Sequence, residues 1–449
     1  MSNYKNMTSD YNFFLKRPLA LATAAALTLF LAACGGGGGG SASPGTNSGG
    51  GTAATQYTPP NTSVPTPTYA QSSMQAQFFA DVNAMRGAAG LSLLAQNPAL
   101  DTSAQAHANY LGVNYNGATM NGVIDPSTGI LYGHSEDAGK PDFYAATPQA
   151  RATKAGYAGS VGEVAIPGDA GSVATLNTTA VGDDAFNILM NTVYHRGGLM
   201  QSEFRDIGLG YATPYEFVAD MGFTGIPQPP ASNTLVPYPP DQGLDPYPYW
   251  AAGYEQPNPT PTVAPGTPLG GAISIESPTN TSLAVSSFKL LDANGAAVPC
   301  FEMDSTNDPN KDYIWSNQAF LVPKTDLTLG ASYTAVFSGT INGSPAQKTW
   351  TFTTPSPTMQ QLSTGPYVLH NGGSVTVSFK APSGFTGFAY ANWSATVPSS
   401  AFHATATNDT LTMSLDPGAV SSNATITVTA NDPEYPLVPT QTATITIEP

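Results

Sequence analysis

A chain of 449 residues is too long for one hydrophobic core, so two or three domains are expected. Charged residues make up only 10% while Gly (45) and Pro (40) are abundant, which favours β-rich domains and linkers over a helical bundle. The formal net charge of −16, uninterrupted by any basic cluster, argues against a nucleic-acid partner and suits an exported protein.

The chain opens with a targeting segment. Lys16-Arg17 gives a positive n-region, and residues 18–33 form an apolar run that is short for a membrane span. The run ends in Leu31-Ala32-Ala33-Cys34, which resembles a bacterial lipobox. That resemblance implies diacylglycerol on the Cys34 thiol and cleavage before it, with acyl chains anchoring the protein at about 0.8 kcal/mol per buried CH₂. A plain signal peptide or a single transmembrane helix are the competing readings. Gly35 in place of Asp after Cys34 points to the outer membrane and an outward-facing protein. Cys300 is then the one remaining thiol, which excludes an intramolecular disulfide. Residues 1–34 are thus assigned as a lipoprotein signal peptide and 35–72 as a Gly/Ser/Pro tether.

Folded sequence is expected over 73–225. Phe78, Phe79, Val82 and Met85 recur at helical spacing, and the glycines at 87 and 90 stop that helix. Asn97-Pro98 reads as an N-cap followed by proline in the first turn, and Leu100, Ala104, His107, Ala108 and Leu111 mark one face of a second helix. Thr147-Pro148 repeats that start signal for a third helix through Ala155. A fourth is expected over 183–194, ended by Gly197-Gly198 with His195 at its C-terminus. The alternating segments 204–212 and 215–221 read as a hairpin.

The ordered set Val82-Asn83-Ala84-Met85-Arg86, Gly90-Leu91-Ser92-Leu93-Leu94, Ala104-Gln105-Ala106-His107-Ala108, His134, Gly162-Glu163, His195-Arg196 and 204–210 resembles bacterial CAP (SCP-like extracellular) domains. The resemblance implies an α-β-α sandwich with a cleft lined by two histidines, matched here by His134 and His195, and a glutamate, matched by Glu163. Val164 stands where the family has Asn. The family's second cleft acid would fall near Asn191 or Thr192, neither of which is a carboxylate, and Glu136 or Asp137 are the weaker substitutes.

Residues 226–265 return to low complexity, with Tyr238-Pro239-Pro240 and Tyr247-Pro248-Tyr249-Trp250, and are expected to be an extended linker whose aromatics pack in part on the first domain. Short strands between turns then predict a β-sandwich over 266–355, with turns at Asn294-Gly295 and Asn342-Gly343. The stretches 327–334 and 349–354, carrying Tyr333 and Trp350, resemble bacterial Ig-like domains, in which such residues pack between two sheets. Strands at 374–379, 387–391, 401–405, 410–415, 424–429 and 442–447 predict a second β-sandwich over 356–449. The fold class is therefore multidomain: an α-β-α sandwich followed by two Ig-like β-sandwiches.

Imidazole and carboxylate are both metal ligands and proton-transfer groups, so His134, Glu163 and His195, if brought together, make one polar site. Two imidazoles and one carboxylate would leave an open position on zinc, the arrangement of an exchangeable site. His107, on a packed helix face, and His370 and His403, solitary histidines on predicted strands or turns, are read as structural. Three functions stay open: binding of a small ligand (lipid, sterol or glycan) or a divalent cation in the cleft, zinc-dependent hydrolysis of an envelope or host substrate, and a structural or adhesive role with a vestigial cleft.

Overall fold

The first helix, α1 (Met74–Ala88), starts where the Ser73 hydroxyl accepts the Ala76 amide at 3.2 Å. The computed structural model describes residues 57–449 except 168–178, 214–215, 245–249, 312, 355–359, 362–365, 381–391, 396–400, 408–409 and 432–440. The expected signal segment with Cys34, the glycine-rich part of the expected tether and the strand expected at 387–391 lie outside the described residues. β1 (Ala95–Gln96) precedes α2 (Pro98–Asn114), which Asn97 opens by accepting the Ala99 amide at 3.0 Å. A one-turn α3 (Gly117–Met120) follows. Then come α4 (Pro148–Lys154), capped by Thr147, and β2 (Ser160–Ile166). The domain continues through α5 (Thr179–Met190), α6 (Tyr194–Leu199) and the hairpin β3 (Asp206–Ala212) and β4 (Glu216–Phe223).

The single helix expected over 183–194 is instead two. The Thr192 hydroxyl donates to the Leu189 carbonyl at 2.8 Å, beside the end of α5. The amides of Val193, Tyr194 and His195 then turn to a carboxylate from elsewhere in the chain, Glu255. His195 consequently lies in the first turn of α6 and not at a helix C-terminus, and Gly197 and Gly198 sit inside that helix.

The four strands pair in the order β1-β3-β4-β2, so β2 is an edge. Strand alternation divides the two helical layers. Val164, Ile207, Leu209, Phe217, Ala219 and Met221 face α1, α5 and α6, while Ala165 and Val218 face α2. α2 presses directly on the sheet at two glycines. A Cβ on Gly208 would lie 2.0 Å from the Leu100 carbonyl carbon, and one on Gly210 would lie 2.3 Å from that of Ala104. Ahead of α1, Asn61 ties residues expected to be tether onto the domain, donating to the carbonyls of Leu93 and Arg205 at 3.0 and 2.9 Å.

The expected linker is built into the next domain. β5 (Val236–Tyr238) pairs with β9 (Ile273–Glu276), and β6 (Gly243–Leu244) pairs parallel with β15 (Ser344–Thr353). β7 (Trp250–Ala251) pairs with β8 (Pro268–Leu269), and Trp250 is buried. The first sandwich has two sheets. One holds β5, β9, β12 (Cys300–Asp304) and β13 (Gln318–Pro323). The other holds β6, β10 (Leu283–Leu291), β11 (Ala297–Val298), β14 (Ser332–Ile341) and β15. Tyr333 and Trp350 lie in the core between them, Tyr333 stacked on Phe352 at 5.7 Å and Trp350 against Phe288 at 5.8 Å. The second sandwich joins four strands, Gln360–Gln361, Ser374–Lys380, Thr410–Leu415 and Phe402–Thr407, to a sheet of Tyr367–His370, Gln441–Glu448, Ala424–Asn431 and Asn392–Ala395. Among the described residues no helix is long and apolar enough to cross a membrane.

α6 also joins the first domain to the first sandwich. Val193 packs into a cluster with Trp250, Leu269, Ala272, Met303 and Phe320. The buried Arg196 guanidinium donates to the Ala272 carbonyl and lies 4.0 Å over the Tyr238 ring. Gln318 donates to the Gly197 carbonyl at 3.0 Å, and the Tyr194 hydroxyl donates to Asp308 at 2.7 Å.

Candidate functional site

Glu163 is on the α2 face of β2, directly across from Asp220 of β4. α4 brings Arg151 to it, and the loop after α3 brings His134. His134 Nδ1 donates to Glu163 Oε1 at 2.8 Å, and Arg151 Nη2 donates to Oε2 at 2.6 Å. α2 delivers His107, whose Nε2 bonds the Gly133 carbonyl at 3.0 Å and lies 3.7 Å from Glu163 Oε1. Glu136 is buried beside them. It meets His107 Nδ1 at 3.0 Å and accepts the amides of Tyr144 and Ala145 at 2.6 and 3.1 Å. The His134 side chain is 23% exposed whereas Glu163, Arg151 and His107 are essentially closed off, so the imidazole is the network's opening to solvent.

Burial alone would raise the Glu163 carboxyl, but the Arg151 guanidinium, helped by His107 and His134, holds it well below the usual carboxylate range. Asp220 goes the other way. Buried, and facing the charge of Glu163, it is pushed well above its ordinary value. Burial and then Arg151 lower His107 as well.

His195 belongs to a second pair, on α6. That helix packs on the opposite face of β2, where Gly198 approaches Val164. His195 Nδ1 lies 2.9 Å from Glu255 Oε1 and 3.1 Å from Thr192 Oγ1. The Thr192 proton is committed to the Leu189 carbonyl, so Thr192 and Glu255 both act as acceptors and the ring proton sits on Nδ1. Its side chain is 17% exposed. Both histidines therefore have Nδ1 fixed by a buried carboxylate, and among the described residues neither Nε2 has a hydrogen-bond partner, which leaves it able to accept a hydrogen bond.

Glu163 gives one oxygen to His134 and the other to Arg151, so neither oxygen is free to serve as a third zinc ligand beside His134 and His195. Among the described residues, no group of three or more His, Cys, Asp or Glu side chains could hold a metal ion. Of the weaker substitutes for a second acid, Glu136 serves His107, while exposed Asp137 accepts the Gly139 amide in its own turn. The acid beside His195 is Glu255, which the sequence reading missed. A signal existed: Glu255 is the single charged residue between Asp245 and Glu276, set among prolines and aromatics. Arg151 and Asp220 were missed too. His370 and His403 make exposed pairs with Glu448 and Asp416 far along the chain.

Comparison with known proteins adds the following. No curated protein matched the chain. Among solved structures, an I-band fragment from titin matches at 9% identity over 40% of this chain and 59% of its own length, with a TM-score of 0.21. The titin domains z1z2 in complex with telethonin match at 13% identity over 40% of this chain and 86% of theirs, with a TM-score of 0.17. The N-terminal four Ig domains of a Dscam1 isoform match at 10% identity, over 39% of this chain and 49% of theirs, with a TM-score of 0.14. This chain thus spans less than two thirds of the titin I-band fragment. Residues 79–218 match the CAP, or cysteine-rich secretory protein, family, and the protein is a multidomain chain that carries a CAP domain.

Proposed function

We propose that this protein is an exported, surface-tethered binding protein whose CAP domain offers His134 and His195, one from each side of the edge strand β2, as two hydrogen-bond acceptors for a hydroxyl-bearing ligand, a glycan or a sterol. One observation carries the reading: each imidazole has Nδ1 held by a buried carboxylate, Glu163 or Glu255, and each is open to solvent. A bare Nε2 accepts a hydrogen bond from a ligand hydroxyl without a change of protonation, and the carboxylate behind it stabilises the positive charge that builds on the ring. The tether would place this site away from a membrane to which lipid on Cys34 anchors the chain.

The test is calorimetric titration of the full chain with N-acetylglucosamine oligomers and, separately, with cholesterol sulfate. Binding of either that is lost in the His134→Ala, His195→Ala double variant supports the reading. Equal binding by both proteins, or none by the wild type, removes it. Lipidation has its own test: metabolic labelling with a palmitate analogue should mark the wild type and leave Cys34→Ser unlabelled.

A further inference from the structure

Helix α6 has no capping side chain of its own. Its N-cap residue is Val193, itself buried, which offers no side-chain acceptor, so the first-turn amides have no acceptor from the helix itself. Glu255 fills that role from 60 residues further on. It accepts the amides of Val193, Tyr194 and His195 at 2.8, 2.8 and 2.9 Å and is itself 1% exposed. The same Oε1 that takes the Tyr194 and His195 amides also takes His195 Nδ1. One carboxylate therefore fixes both the backbone that carries His195 and the tautomer of its ring.

Glu255 is not part of the segment that matches the CAP family. It lies between β7 and β8, and the pairing of Trp250 with Leu269 holds that loop in place. Trp250 and Leu269 in turn pack with Val193, Ala272 and Phe320 in the cluster that joins the two domains. Docking of the sandwich and placement of Glu255 are thus one event.

We propose that Glu255 is the positioning residue of His195, supplied by the segment that docks the β-sandwich, so that the His195 half of the site is complete only in the joined two-domain unit. This rests on the reading that His195 Nε2 meets ligand, but its test does not need a ligand.

The experiment uses the full chain labelled with ¹⁵N-histidine, as wild type, Glu255→Gln and Glu255→Ala. Long-range ¹H–¹⁵N spectra at pH 8 report the tautomer of each ring, and diethyl pyrocarbonate with peptide mass spectrometry reports the reactivity of each ring. The expected wild-type state is His195 protonated at Nδ1. In Glu255→Gln an amide still faces the three N–H groups but the charge is gone, and His195 carbethoxylation should slow by more than about twofold, because a carboxylate on Nδ1 raises the basicity of Nε2. In Glu255→Ala the Nε2–H tautomer should appear as well. His134, served by Glu163, should keep its tautomer and rate in both variants, which shows that the domain stays folded. A His195 tautomer and reactivity unchanged within twofold in both variants overturns the proposal. So does a loss of His134 order equal to that of His195, since Glu255 would then be only a general prop. If the tautomer shifts as expected but calorimetry finds no glycan or sterol binding, the positioning role stands and the binding function falls.

Discussion

Replacing Arg151 by methionine tests the buried network most directly. The guanidinium is 0% exposed, donates to Glu163 Oε2 at 2.6 Å and lies 3.7 Å from Glu136. Methionine fills much of its volume but leaves Glu163 buried without its main counter-charge. Breaking a buried pair by removing one partner costs about 3–5 kcal/mol, or roughly a hundredfold to several-thousandfold in an opening equilibrium. The sign with pH follows from the shifts. In the wild type Glu163 is depressed below its unfolded value near 4.5, so its contribution is complete above that pH and is lost only as pH falls towards the folded value. In Arg151→Met the desolvation of the carboxyl is no longer outweighed by the guanidinium and its folded value rises. The penalty is then largest at pH 7 and shrinks as pH falls towards 5 and Glu163 protonates. None of the four tryptophans (250, 315, 350 and 393) lies in the segment matched to the CAP family, so fluorescence would report the wrong domains. Hydrogen exchange of β2 and α2 peptides, corrected for intrinsic rates, reads the local opening free energy. Unchanged protection at pH 7, or an equal penalty at pH 5 and 7, refutes the argument.

Three further outcomes are expected. Gly208→Ala and Gly210→Ala should each lower stability by about 1–3 kcal/mol, because the new methyl groups would run into the α2 backbone, and calorimetric melting of the full chain measures this. Trp350→Ala should cost about 3–5 kcal/mol in the first sandwich, seen as a lower denaturant midpoint, with β2 exchange unchanged. Glu276, buried at the domain junction, is raised to about 8 by desolvation against the opposing pull of Arg86 and Arg196. The folded state therefore binds more protons than the unfolded between about 4.5 and 8, and this group's contribution to stability falls as pH rises through that window. Glu276→Gln should flatten that slope in melting curves taken from pH 5 to 8, and an identical slope in the variant would assign it elsewhere.

Local signals were legible because local chemistry decides them. Ser73, Asn97 and Thr147 each cap a helix with their own hydroxyl or amide, and Asn97-Pro98 and Thr147-Pro148 declare it in two letters. The hairpin of β3 and β4 and the alternating strands of both sandwiches were readable for the same reason: period two survives wherever one face is buried. The break after Met190 was not legible, since Asn191, Thr192 and Val193 only weaken a helix and what captures the amides beyond them is a carboxylate about 60 residues away. β5, β6 and β7 were hidden in a proline-rich stretch that suggests an extended linker, although the aromatic packing expected there is present in Tyr238 and Trp250.

The site shows the same division. Glu163 and His134 could be picked out because they sit in short segments with a recognisable order, and the structure brings them into contact, but nothing in the sequence pointed to Arg151 on the same carboxylate. A carboxylate shared between an imidazole and a guanidinium orients a ring; it does not hold a cation. Val164 makes the point on the other face. Its departure from the family pattern removes no hydrogen bond from the Glu163 side, because alternation along β2 turns Val164 into the core beside Leu199 and Met200. The loss lies instead in the missing acid near Asn191, and there the chain compensates from outside the CAP domain with Glu255, so the two imidazoles end with the same support by different routes.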